Sequence, residues 1–221
     1  MRPDLLLENA LVTWDGSTNP EQLQYGQLLN DEGRLLRELA REVPADQVIV
    51  EVGSYTGKST MCLAVGSAEG NRALVYAVDL WWSGTSHKGR DFKAHVKGEP
   101  QSGSKFHWPE VTAVFERRRE AFDVAGLVRP TMGASVTVAA TFHPPHIGLL
   151  FIDAEHTYEA CKADFEAWAP MVVRSGSIAL HDYAGKGDAG GAVKRYIDEV
   201  LACGRWEIAA AAGSMVVIQR A

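Results

Sequence analysis

Apolar positions along the chain switch between a helical period and short continuous runs, and the switching lays out the elements. Leu28, Leu29, Leu35, Leu36 and Leu39 share one face of a helix expected from about Tyr25 to Val43, stopped near Pro44. Strands are expected at Gln47–Val52, Ala73–Asp79, Arg129–Met132, Ile147–Asp153 and Ser177–His181. Between them fall helices at Ser59–Gly66, Pro109–Leu127, from Ser135, at Tyr158–Trp168 and at Gly191–Ala202. Trp206–Ala211 and Met215–Arg220, about a Gly213-Ser214 turn, read as an antiparallel hairpin. This alternation predicts an α/β fold: a Rossmann-like, doubly wound, mainly parallel sheet with helices on both faces. The 221 residues fit a single domain with an N-terminal helical segment over about 1–46. Only 83–108 departs from the regularity. That glycine- and histidine-bearing stretch carries His87, His95, His107 and Trp108 and reads as a lid over a substrate.

In such sheets ligands gather at the carboxyl ends of the strands, so the residues ending them carry the chemistry. Here they are Glu51, Asp79, Asp153 and the pair His181-Asp182. After the first strand comes Gly53-Ser54-Tyr55-Thr56-Gly57-Lys58-Ser59, which superficially resembles a phosphate loop. A phosphate loop needs four residues between its first glycine and Gly-Lys-Ser, and only Ser54, Tyr55 and Thr56 stand there. The dinucleotide fingerprint also fails, since 55 is Tyr and 58 is Lys. Glu51 beside the turn would repel an anion, and suits a cationic or amino-bearing ligand.

Composition narrows the classes. With 46% hydrophobic and 23% charged residues the chain is ordinary for a globular protein with a sizeable core. A net charge of −6 argues against a nucleic-acid or acidic-membrane partner. Arg117-Arg118-Arg119, flanked by Glu116 and Glu120, reads as a solvated helix face. Cys62, Cys161 and Cys203 are odd in number and widely spaced, as buried free thiols in a reducing compartment would be. No apolar run reaches membrane-spanning length and no signal-peptide core opens the chain, so a cytoplasmic protein is expected.

Val50-Glu51-Val52-Gly53-Ser54-Tyr55-Thr56-Gly57-Lys58-Ser59 is similar to the cofactor turn of class I S-adenosylmethionine-dependent methyltransferases, in particular metal-dependent O-methyltransferases of the catechol and caffeoyl-CoA type. The resemblance continues in Phe151-Ile152-Asp153-Ala154-Glu155-His156-Thr157-Tyr158-Glu159, in Asp164 and Trp168, and in Ile178-Ala179-Leu180-His181-Asp182-Tyr183. This second block resembles more closely a bacterial branch that methylates sugar hydroxyls, including those of macrolide glycosides. The likeness runs from about Gly26 to the C-terminus without the lid. It implies S-adenosyl-L-methionine as cofactor. Glu51 and the amides around Gly53, with Ser54, Tyr55 and Gly57, would face its methionine part, and Ser59 would help hold the carboxylate. Asp79 would accept from the ribose hydroxyls, Gly133-Ala134-Ser135 would approach the adenine, and Trp81 would pack on it or simply cover the sheet end.

The resemblance further implies magnesium or another divalent cation on Asp153 and Asp182. Where the relatives place Asp-Asn or two acids, this chain has Asp182-Tyr183, which leaves the third protein ligand open. His156 stands where the catechol-type enzymes place a catalytic lysine, and a near-neutral imidazole suits a base. His181 and Asp153 are rivals for that role. Since successive strand residues face opposite ways, one of His181 and Asp182 should point away from the metal. The reading is a magnesium-dependent O-methyltransferase for a small polar hydroxyl compound, a sugar or glycoside foremost, with a homo-oligomer left open. A metal-independent or catechol-type methyltransferase is the alternative, followed by an NAD-binding oxidoreductase that would use Asp79 for the ribose.

Overall fold

The computed structural model describes residues 28–81, 108–143, 146–185 and 187–221. The segment before 28 lies outside the described residues, as does the expected lid up to 107. The elements are α1 (Asn30–Glu42), β1 (Val48–Val52), α2 (Lys58–Glu69), β2 (Leu74–Asp79), α3 (Trp108–Ala121), β3 (Val128–Met132), α4 (Ser135–Thr141), β4 (Ile147–Ile152), α5 (Tyr158–Trp168), β5 (Val172–Leu180), α6 (Gly187–Ala202), β6 (Trp206–Ala212) and β7 (Met215–Arg220). Seven strands form one sheet in the order β3-β2-β1-β4-β5-β7-β6. β1 to β5 run parallel, with Val48 opposite both Leu74 and Ile147. β7 pairs antiparallel with β5 and with β6, so the last strand enters between its two neighbours. The order reverses between β1 and β4, and there the carboxyl ends splay into the crevice where such sheets bind ligands.

Strand residues alternate between two apolar layers, as the period of two requires. Ile49, Val75, Leu149, Phe151 and Ala179 pack with Leu36, Met61 and Phe115 from α1, α2 and α3. Val48, Val50, Leu150, Ile152 and Ile178 pack with Phe165, Trp168 and Ile197 from α5 and α6. Among the described residues no helix is long and apolar enough to cross a membrane.

Several element ends differ from expectation: α1 starts at Asn30, after an extended Leu29, rather than near Tyr25, and α2 runs on to Glu69. α3 ends at Ala121, six positions early, because Asp123 turns left-handed (φ 56°) and breaks the helical path. β5 begins at Val172 rather than Ser177, since a register shift opposite Ile147 and Leu149 lets the strand continue past Gly176. α6 starts at Gly187, its glycines absorbed into the first turn.

The turn after β1 is drawn tight by both neighbours. Gly53 has φ 88°, and a Cβ there would sit 2.1 Å from the Asp153 carbonyl oxygen, so only glycine lets the turn lie against the end of β4. Residue 51 shares the face of Ile49 and looks onto the start of α2. Glu51 is therefore fully buried, and its carboxylate accepts hydrogen bonds from the hydroxyls of Ser54 (2.7 Å), Ser59 (2.5 Å) and Thr60. This corrects two expectations at once. Glu51 does not present its charge to a ligand, and the Ser59 hydroxyl is given to Glu51. Burial pushes the Glu51 carboxyl up to about 7, against the pull of the three hydroxyls.

The folded state thus holds a proton that the unfolded chain releases near its ordinary value of 4.5. Stability contributed by Glu51 is highest below that value and is lost as pH rises toward 7. Glu51→Gln keeps the shape without the titration. Urea unfolding across pH 4.5 to 7.5 should show the variant gaining on the wild type as pH rises, by on the order of 3 kcal/mol over the window. A pH-independent difference would mean that Glu51 is ionised in both states.

Candidate active site at the carboxyl edge of the sheet

Asp79 ends β2 and ties the Gly53 turn to it. One carboxylate oxygen accepts from the amides of Ser54 (2.9 Å) and Tyr55 (2.8 Å), the other from the amide of Trp81 (2.9 Å). A carboxylate has about four acceptor positions, so one remains for a ligand hydroxyl. Tyr55 is itself left-handed (φ 46°), which turns two successive amides onto the same oxygen. Trp81 does not lie open to a base. It is buried, its indole N–H donates to the Tyr55 carbonyl (2.8 Å), and its ring tilts against Phe115 at 4.6 Å.

The second glycine of the turn, Gly57 (φ 84°), rests on the same Phe115 ring, which a Cβ would approach to 2.6 Å. Beside it, Arg118 reverses the reading of a solvated basic cluster. It is 2% exposed and donates to the Thr56 carbonyl (2.8 Å) and hydroxyl (2.6 Å), bracing the turn from α3. The signal was present in the spacing: Val111, Phe115, Arg118 and Phe122 fall on one helical stripe, and all are buried. Ser135 is likewise committed inward. Its hydroxyl accepts from the Trp168 indole (2.8 Å) and donates to the buried Asp164, fastening α4 to α5. Next to it, Met132 and Val136 are large apolar side chains left exposed at the same edge, which sequence reasoning did not single out.

A second cluster forms where β4 and β5 end side by side. Asp153, His181 and Asp182 bring one donor atom each within 4.8 Å of one another. His156, in the loop before the Thr157 cap of α5, sets its Nε2 3.0 Å from Asp182 and 3.4 Å from Asp153. Both members of the His181-Asp182 pair face the cluster, contrary to the alternation argument. The ladder stops at Leu180, and Asp182 takes a left-handed conformation (φ 59°) that folds its carboxylate back beside His181. Tyr183 takes no part, because its hydroxyl donates to Asp198 (2.9 Å).

His181 is 5% exposed and is held from behind by Glu32, a residue of α1 that the sequence did not mark. Its Nε2 lies 3.1 Å from the Glu32 carboxylate. Glu32, fully buried, also accepts from the amides of Leu29 (2.7 Å) and Ser214 (2.7 Å) and from the Ser214 hydroxyl. The other ring nitrogen, Nδ1, faces Asp153 at 3.4 Å and Asp182 at 3.3 Å, yet makes no hydrogen bond.

The electrostatics follow from three carboxylates around two imidazoles. Burial works to raise the Asp153 carboxyl, but His156 and His181 outweigh it and hold it well below the usual range. Burial likewise opposes charge on Glu32, and His181 with the two amides brings it down to about 2. The hydrogen bond to Asp153 raises His156 above 6.5, so the near-neutral imidazole expected from sequence is shifted toward its protonated form. The cluster requires positive charge between its carboxylates, and protons on the imidazoles or a metal ion would each provide it.

The fold has counterparts among known proteins. Residues 50–183 match the family described as "Methyltransferase domain". A protein of Sinorhizobium fredii (strain NBRC 101917 / NGR234), described as uncharacterized protein y4gI, is 27% identical over 136 residues, which cover 61% of this chain and 13% of that protein. The chain therefore spans about an eighth of that relative's length. The O-methyltransferase NovP superposes with a TM-score of 0.66 at 17% identity, over 99% of each chain. The O-methyltransferase TomG of Streptomyces achromogenes, solved with S-adenosylmethionine, gives 0.63 at 16%, over 97% of this chain and 88% of its own. The likeness is one of fold. A match over more than half of the chain, on this sheet and this turn, sets the oxidoreductase reading aside: the chain belongs to the methyltransferase-domain family and has the class I S-adenosylmethionine-dependent methyltransferase fold.

Proposed function

We propose that the protein transfers a methyl group from S-adenosylmethionine to a hydroxyl of a small polar acceptor, a sugar or glycoside foremost, assisted by a divalent cation on Asp153 and Asp182. The observation that carries this reading is the adjacency of two sites. The Gly53 turn rests on the Asp153 carbonyl, so a cofactor seated on the turn would meet an acceptor held at the carboxylate cluster. The residues fit a cation, because two strand-end carboxylates converge and a buried nitrogen without a hydrogen bond is aimed between them. The names of NovP and TomG, both O-methyltransferases, support oxygen as the acceptor atom.

Methyl transfer from a sulfonium is an in-line displacement. The oxygen–carbon bond forms as the sulfur–carbon bond breaks, S-adenosylhomocysteine leaves, and the hydroxyl proton must go to a base. Asp79, with its remaining acceptor position, suits the ribose hydroxyls, and Met132 and Val136 suit the face of a purine. Asp153 and Asp182 would hold the ion and His156, between them at the surface of the cluster, would take the proton. A divalent cation bound there would neutralise both carboxylates, release His156 from its ion pair and stabilise the alkoxide as it forms. The sugar preference rests on the sequence resemblance in Asp153–Glu159 and Ile178–Tyr183. A metal-independent mechanism is the second reading, favoured by the two imidazoles that already balance the carboxylates.

Calorimetry should detect S-adenosylhomocysteine binding, weakened in Asp79→Ala by about 1–3 kcal/mol. Unchanged affinity would remove Asp79 from the cofactor site. In a methylation assay over a panel of sugars and catechols, chelation should abolish turnover and a divalent salt restore it, while full activity in excess chelator would select the metal-independent mechanism. His156→Ala should lower kcat by ~10²–10⁴-fold with S-adenosylhomocysteine affinity nearly intact. A variant that keeps most of its rate would move the base to Asp153 or His181.

A further inference from the structure

We infer that the cation site is built for a transition-metal ion of the manganese, iron or cobalt kind, with His181 Nδ1 as an imidazole ligand oriented by Glu32, rather than for magnesium. The inference rests on the reading that Asp153 and Asp182 hold a cation, and it names which one. His181 is buried, only 5% exposed, and its Nδ1 has no hydrogen bond although two carboxylate oxygens lie 3.3 and 3.4 Å away.

The far side of the ring fixes one of its two nitrogens as a donor. Glu32 can only accept when ionised, so the nitrogen 3.1 Å from it, Nε2, carries the proton and donates. With no second proton on the ring, Nδ1 would keep a lone pair facing the oxygens of Asp153 and Asp182. In the ion-free protein a second proton on Nδ1 balances the two carboxylates, and a cation lodged among the three would replace that proton and take the Nδ1 lone pair. The separations suit one: neighbouring ligands around an octahedral ion with bonds of about 2.1 Å stand roughly 3 Å apart. Histidine ligands typically donate their other N–H to a carboxylate, which sets the tautomer and the ring plane. Glu32 meets that description and cannot follow the ring if it turns, because the Leu29 and Ser214 amides hold its carboxylate in place.

The donor set decides the ion. Magnesium favours an all-oxygen shell, whereas imidazole nitrogen suits later first-row ions and carboxylates suit manganese as well. Two carboxylates and a buried imidazole make a mixed set that magnesium would fill poorly. His156, whose Nε2 reaches the same carboxylates from the outer side, is 30% exposed and has no such partner behind it among the described residues. It is the weaker candidate for a ligand.

The test uses the full chain, stripped with chelator and loaded with MnCl2, with MgCl2 and CoCl2 titrated in parallel by calorimetry. Pulsed electron paramagnetic resonance of the manganese protein should show a directly bound nitrogen, which [15N]histidine labelling converts to the 15N signature. The signal should persist in His156→Ala and vanish in His181→Asp, which should also lower the preference for manganese over magnesium by roughly tenfold or more. Glu32→Gln should weaken manganese binding ~10–100-fold. Manganese bound to the wild-type protein without nitrogen coupling would overturn the inference while leaving a metal-assisted transferase standing, and this outcome needs no variant to fold. A coupling that survives His181→Asp and disappears in His156→Ala would overturn it too. Failure of all three ions to bind, with S-adenosylhomocysteine still bound, would sink the metal reading itself and the inference with it.

Discussion

Negative charge buried at the carboxyl edge of the sheet is the constraint on which the rest of the structure depends. Glu32, Glu51, Asp153 and Asp182 lie within reach of the β1, β4 and β5 ends, two of them fully buried. Carboxylates taken out of water must be compensated or protonated, and the fold treats each in a different way. Three hydroxyls surround Glu51, and burial still carries its carboxyl to about 7. Glu32 receives two amides, a hydroxyl and an imidazole, and falls to about 2. Asp153 and Asp182 share two histidines and keep an open approach. Only at this last pair is compensation arranged around a point in space rather than around a side chain.

That difference separates scaffold from site. Several polar side chains in and around the Gly53 turn and the neighbouring strand ends spend their hydrogen bonds within the protein. Ser59 serves Glu51, Trp81 serves Tyr55, Arg118 serves Thr56, and Ser135 serves Trp168 and Asp164. What the turn retains for a ligand is backbone, whose direction these side chains set. A turn braced from α2, α3 and β2 is organised before a cofactor arrives, and so loses little entropy in binding one. At the second cluster the corresponding device is the chain from Ser214 through Glu32 to His181, which locks an imidazole from behind and turns its front toward Asp153 and Asp182.

The sequence by itself determined whatever depends on neighbours in the chain. The alternation of apolar runs and helical stripes set the order of elements, and the helix expected at Tyr158–Trp168 forms over those residues, with Thr157 as its cap. Asp153 and Asp182 were legible as a converging pair because strand ends in a parallel sheet share an edge. The Gly53–Gly57 stretch was legible as a tight strand-to-helix turn, and both glycines take left-handed backbone there. Tertiary structure alone decided which polar groups meet across long separations. Glu32 lies 149 positions from His181 and 182 from Ser214, and Arg118 lies 62 from Thr56. No local period encodes such pairs, since burial brings them together and the cost of an uncompensated charge then selects the partner. The side on which His181 and Asp182 both face was settled in the same way. Strand alternation ends with the ladder at Leu180, and beyond it one left-handed residue turned two side chains toward a single point.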